Sequence, residues 1–184
     1  LLEEVFVLSG VPTYTFVKPE IYDRILVSMR TPGRCMVVEG PSGIGKTTLI
    51  KAVIDELKIS KEVIILSARK AEDREFISNL VEIKNIGIVI IDDFHRLDDK
   101  VKALIADFMK TLADEGDSGS KIVLIGINKA GDRLVEFGSD IGLRIDVFKV
   151  EANNSRKIGE LIEKGERALS VRISDRDDFI NRSY

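Results

Sequence analysis

The stretch Gly40-Pro41-Ser42-Gly43-Ile44-Gly45-Lys46-Thr47-Thr48 follows directly on the apolar run Cys35-Met36-Val37-Val38-Glu39 and leads into an amphipathic segment, Lys46 to Leu57. No other feature restricts the fold as strongly, because a glycine-rich loop of this spacing is useful only between a strand and a helix. Gly40, Gly43 and Gly45 let the chain curl so that successive backbone N–H groups point inward at a polyphosphate. A helix beginning near Lys46 aims its positive end at the same place. Lys46 would then reach the β and γ phosphates of ATP, or the β phosphate of ADP. Thr47 would put a hydroxyl on Mg²⁺, a small cation that prefers oxygen ligands and binds together with phosphates. The segments on either side supply what the loop needs: Met36 to Val38 reads as a strand, and Leu49, Val53, Ile54 and Leu57 fall on one face of the following helix.

Four further β-branched runs share the character of that first strand: Glu62 to Ser67, Ile86 to Asp92, Lys121 to Ile127 and Ile145 to Val150. Near-continuous apolar strands separated by helical patterns predict an α/β fold with a parallel sheet covered on both faces. Between them, Val101, Leu104, Ile105, Phe108, Met109 and Leu112 recur at helical spacing and read as core, while Ala113 to Ser120 is the clearest loop. A chain of 184 residues, 44% hydrophobic, can bury one sizeable core. Past Val150 the strands stop. Ile158, Leu161, Ile162 and Leu169 then lie on one helical face. The reading is a nucleotide-binding core over residues 1–150 followed, over 151–184, by the start of a helical lid. The chain begins at Leu1 and stops inside a charged helical segment, so it is expected to be a piece of a longer protein.

No apolar run approaches the roughly 20 residues that span a bilayer, and the N-terminus lacks a signal pattern. A single cysteine, Cys35, excludes an internal disulfide framework and reads as a small buried hydrophobe, which fits a cytoplasmic protein. The net charge of −3 does not indicate the basic face of a stand-alone nucleic-acid binder, although it leaves room for one attached elsewhere.

The run Ile88-Val89-Ile90-Ile91 ends in two aspartates, Asp92 and Asp93. Carboxylates at the end of a buried strand are costly unless a cation or hydrogen bonds compensate. Beside a phosphate loop, Asp92 is expected to hold Mg²⁺ and Asp93 to orient or deprotonate the attacking water. His95, just beyond, reads as a solvated or packing residue. The next strand runs out at Asn128, whose amide would hydrogen-bond the γ-phosphate or the water, cap the following helix, or both.

With these residues in view, the chain resembles the AAA+ and STAND branch of P-loop ATPases over nearly its whole length. Gly40 to Thr47 is similar to Walker A, Ile88 to Asp93 to Walker B, and Asn128 stands where that group carries a polar sensor. Thr15 to Leu26 is similar to the segment leading into the first strand, with Lys18 and Pro19 in place of its Gly-Arg, and Val11 to Val17 would contact adenine. The resemblance implies a three-layer P-loop NTPase sandwich with a five-stranded parallel sheet in the order 5-1-4-3-2. It also makes Arg144, just before the last strand, the candidate arginine finger, with pairing to Asp140 or Asp146 as the alternative. Many relatives carry glutamate at the position of Asp93; the Asp-Asp pair implies slow ATP hydrolysis. The expected function is a nucleotide-dependent switch or oligomerisation module of a larger signalling or defence protein, self-associating through its ATPase domains. The alternative is a DNA-transaction ATPase of the transposition or replication-initiation type. A small-molecule kinase, which would need an arginine-rich lid beyond Arg69 and Arg74, is the third reading.

Overall fold

The structure, a computed structural model, describes residues 2–6, 12, 14–116, 119–127, 145–152, 154–176, 178 and 180. Two compact units emerge, Ile21–Val150 and a second built from Leu1–Glu20 together with Glu151–Tyr184. The sequence pattern groups the lead-in residues with the nucleotide-binding core over residues 1–150; the second compact unit holds Leu1–Glu20 and Glu151–Tyr184.

The larger unit is a parallel sheet of five strands, β1 (Met36–Glu39), β2 (Val63–Ser67), β3 (Ile88–Asp92), β4 (Lys121–Gly126) and β5 (Asp146–Lys149), in the order β2-β3-β4-β1-β5. This is the order that the resemblance implies. Every residue of β1 and β4 is buried, which is why these two strands lack any polar alternation. The edge strand β2 has an equally apolar sequence, yet Ile64 and Ile65 are exposed because, among the described residues, no further strand continues the sheet at that margin.

Helices cover the sheet. α2 (Tyr22–Arg30) and α3 (Lys46–Leu57) pack against each other, and the Tyr22 hydroxyl donates to the Glu56 carboxylate at 2.8 Å across that contact. α4 (Ala71–Asn79) and α5 (Asp99–Glu115) bury Ile77, Ile105, Met109 and Leu112 in one cluster with Val37, Val89, Ile91, Ile122 and Leu124. Alternate strand residues thus serve one face, as the two-residue period of a strand requires. Leu104 departs from the expected stripe: it is exposed, at the margin of the buried arc of α5.

In the smaller unit, α1 (Leu2–Val5) and α6 (Ser155–Leu169) lie against each other. Lys164 Nζ donates to the Phe16 carbonyl and Lys157 Nζ to that of Lys18, both at 2.7 Å, so two cations on α6 hold the lead-in backbone. The Phe6 ring lies against Gly165, where a side chain would collide with it. Among the described residues no helix is long and apolar enough to cross a membrane.

Opposite the glycine-rich loop, at the start of β4, Lys121 is buried and donates to the carbonyls of Ser28 and Thr31 at the end of α2, each at 2.6 Å. Burial pushes its ammonium down from 10.5 to about 8, against the pull of Cys35 and Asp146 and with the push of Arg34. The native state therefore sheds this proton before the unfolded chain does, so its contribution to stability rises with pH between about 8 and 10.5. In urea unfolding across that range, the parent is expected to gain stability relative to Lys121→Met. Parallel stability profiles for the two proteins would refute this.

Candidate functional site

The site forms at the carboxyl ends of the strands, where loops leave the sheet and a crevice opens. Residues 40–45 link β1 to α3 without regular structure, and Gly45 ends the loop in the left-handed region at φ 94°, with Gly43 at φ 78°. A Cβ added to either would meet nothing within 4 Å. Glycine is required there by backbone conformation rather than by crowding. Gly40 is constrained differently. A Cβ there would come within 2.4 Å of the Val150 carbonyl, so only glycine lets the loop leave β1 beside the end of β5.

Lys46, the first residue of α3, folds back over this loop, its Nζ donating to the carbonyls of Gly40 at 2.9 Å and Pro41 at 2.7 Å. Burial pushes the ammonium below its ordinary value, against the pull of Asp92 and Asp93. Thr47 donates its hydroxyl to Asp92 Oδ2 at 2.8 Å. That bond ties the start of α3 to the end of β3, although β4 lies between β1 and β3 in the sheet. Ser42, Ile44 and Thr48 complete the loop and the first turn of α3.

The two aspartates face different partners. Asp92 holds Thr47 and also accepts from the Asp93 backbone N–H at 2.8 Å. Asp93 adopts a left-handed conformation, φ 56°, which turns the chain sharply away from the strand. Its carboxylate receives a two-point contact from Arg69, at 2.5 Å from Nε and 3.1 Å from Nη2. Arg69 follows β2, and the register pairs Ser67 of β2 with Asp92 of β3, which brings the two segments alongside. Sequence reasoning counts Arg69 only toward a kinase lid and misses it as the partner of Asp93. Arg74 is likewise engaged, donating to the carbonyls of Ala68 and Arg69.

After Asp93 a 3-10 turn, Phe94–Arg96, is anchored by buried Phe94 and Leu97. His95 is half-buried in this turn, and its Nδ1 is buried without a hydrogen-bond partner among the described residues. Of the two roles read from the sequence, solvated or packing, the second fits this position. Asn128 and Arg144 lie outside the described residues, as do Val11 and Thr13 of the expected adenine-contact segment. Asp146, one alternative partner for Arg144, accepts from Arg34 at 2.8 Å and from Ser28 at 2.7 Å.

The donor set fits a nucleotide with a small hard cation. A hydroxyl and a carboxylate stand together, an ammonium lies at the loop, and the space before Gly43 and Gly45 is open. Among the described residues no cluster of three or more His, Cys, Asp or Glu offers a protein-only metal cage. The cation this arrangement suits is one that shares its ligands with phosphate oxygens.

The family described as "ATPase family associated with various cellular activities (AAA)" matches residues 36–136, from the first residue of β1 past the end of β4. The chain belongs to the AAA family of P-loop ATPases. This AAA domain is 27% identical over 129 residues to Replication-associated recombination protein A of Bacillus subtilis (strain 168), covering 70% of the chain and 28% of that relative. Domain III of the Thermotoga maritima replication initiation protein DnaA is similar in fold, with a TM-score of 0.59 at 20% identity over 91% of this chain and 79% of that one. The Thermotoga maritima RuvB Holliday junction branch migration motor gives a TM-score of 0.56 at 22% identity over 87% of this chain and 54% of that one. The AAA domain thus spans little more than a quarter of the curated relative and about half of the RuvB chain.

Proposed function

We propose that the chain is the ATP-hydrolysing module of a larger protein that acts on DNA in replication or recombination. The observation that carries the nucleotide reading is the Thr47 hydroxyl bound to Asp92 beside the Lys46 ammonium, because this places one cation and two oxygen ligands at an open glycine loop. Lys46 would exchange the carbonyls of Gly40 and Pro41 for the β and γ phosphates, and the N–H groups from Ser42 to Thr48 would line the rest. Thr47 and Asp92 would hold Mg²⁺. Bound there, the ion would screen the phosphate charge as it develops. Asp93 would orient the attacking water once its carboxylate is released by Arg69, and Asn128 would reach the γ-phosphate or the same water. Arg144 precedes β5, the edge strand, which suits a finger offered to a neighbouring subunit.

The DNA reading draws on the curated relative, a replication-associated recombination protein. It is favoured over the signalling switch expected from the Asp-Asp pair. The kinase reading loses its remaining support, since Arg69 is bound to Asp93 and Arg74 to backbone. With a net charge of −3, this chain is expected to supply the nucleotide cycle and self-association, and other segments of the full protein the phosphate-binding surface. The test is ATP turnover and DNA binding by the full-length protein. DNA should raise the turnover rate, or ATP should tighten DNA binding with a steep salt dependence. A protein that assembles with ATP but neither binds DNA nor responds to it would restore the switch reading.

A further inference from the structure

One side of α5 is not used up by the core. Leu104 and Phe108 line a groove of about 700 Å³ together with Val81 and Ile83, which belong to the segment between α4 and β3. Leu104 is 48% exposed and Ile83 40%, so the apolar floor of the groove faces solvent. Asp107 and Glu115 of α5 line it as well, and Lys84 is the one cation among its described lining residues. Asp107 meets Lys110 at 3.1 Å yet stays 71% exposed. The helix ends in Asp114 and Glu115, with no basic residue in its last turn. Two carboxylates thus stand at the negative end of the helix dipole, an arrangement that a cation from outside relieves.

α2 has the opposite character. It buries Tyr22, Ile25, Leu26 and Met29 and turns Arg24, Val27 and Arg30 outward, with Val27 63% exposed between the two arginines. Asp23 is the one carboxylate of that helix. Six residues separate the arginines, about 9 Å along a helix, and eight separate Asp107 from Glu115, about 12 Å. Arginine side chains are long enough to make up the difference, and their stems would cover the apolar floor.

The two surfaces cannot meet within one molecule. Val37 lies in the cluster that α5 buries. Its neighbour Val38 points to the other face of the sheet and pairs in register with Phe148, whose ring centroid is 5.6 Å from the Arg24 guanidinium. α2 and α5 therefore lie on opposite faces. A contact between them joins one copy to the next head to tail, the type that closes into a ring or continues as a filament.

We propose that the groove on α5 receives the α2 face of a second copy of this chain, with Arg30 toward Glu115 and Arg24 toward Asp107. The contact gives the self-association expected of the domain its two surfaces, and depends on that self-association.

Sedimentation of the full-length protein with Mg-ATP provides the test. Arg30→Glu and Glu115→Arg should each weaken association by about tenfold or more, because like charges then face each other. Both changes in one chain should restore it to within about threefold of the parent. An equal mixture of the two single variants should do the same, since alternating copies again pair opposite charges. Restoration also excludes misfolding as the cause of the single losses. Parental association of both single variants would overturn the proposal while leaving self-association intact. So would losses that neither the double variant nor the mixture repairs. A parent that stays monomeric with Mg-ATP would overturn the proposal together with the self-association on which it depends, and would leave the groove to a different protein.

Discussion

Lys46→Ala should weaken Mg-ATP binding by about 10² or more, the size expected when one charge-assisted contact to phosphate is lost. The structure gives two reasons for a large effect. The ammonium is the only side-chain cation seen bonded to the loop itself among the described residues, and no other donor there is seen to satisfy the Gly40 and Pro41 carbonyls it now holds. Alanine removes the charge and also frees those carbonyls, so the loop loses both its ligand contact and its internal tie. Lys46→Met keeps the length of the side chain without the charge and should show nearly the same loss of affinity, which separates electrostatics from packing. Calorimetric titration with Mg-ATP is the measurement. An affinity for Lys46→Ala within threefold of the parent would remove the loop from nucleotide binding.

Asp93→Asn should leave Mg-ATP binding intact and slow hydrolysis by about 10². Asparagine tolerates the left-handed backbone that Asp93 adopts, so the turn survives and only the carboxylate charge is lost. Arg69 gives the prediction a second arm. It is largely exposed and holds the Asp93 carboxylate at two points, which opposes any role of that carboxylate toward water. Arg69→Ala should then raise turnover by about two- to fivefold, the range that breaking an exposed ion pair supports. The same change in the Asp93→Asn background should have no effect. Steady-state phosphate release from the four proteins decides the matter. Parental turnover in Asp93→Asn would exclude the carboxylate from the reaction, and additive effects of the two substitutions would show that they act apart.

The parts of the site that could be read from the sequence are those written within one segment. The loop, the lysine and the threonine lie in nine consecutive residues, and Asp92 declares itself as a carboxylate ending an apolar strand. Their meeting across β4 follows once the strand order is known. Arg69 could not be found in this way. Its contact with Asp93 depends on β2 lying beside β3 in a register that pairs Ser67 with Asp92, and no periodicity encodes which strand is a neighbour. The state of His95 was hidden for a similar reason, since the burial of one ring nitrogen is decided by the anchoring of Phe94 and Leu97 in the core. Leu104 and Ile65 show the opposite failure: an apolar residue at the right spacing is covered only where a neighbour exists, and these two sit at margins.

The smaller unit has a consequence for how the chain is made. Its two halves are Leu1–Glu20 and Glu151–Tyr184, and the carbonyls of Phe16 and Lys18 find their lysines only on α6. A ribosome delivers the N-terminal half first, so Val5 and Val17, both buried in the finished structure, must wait for residues 21–150 to emerge before their partners exist. The sheet can close during that interval from contacts already synthesised. The nucleotide loop is thus expected to form on the nascent chain before the smaller unit does.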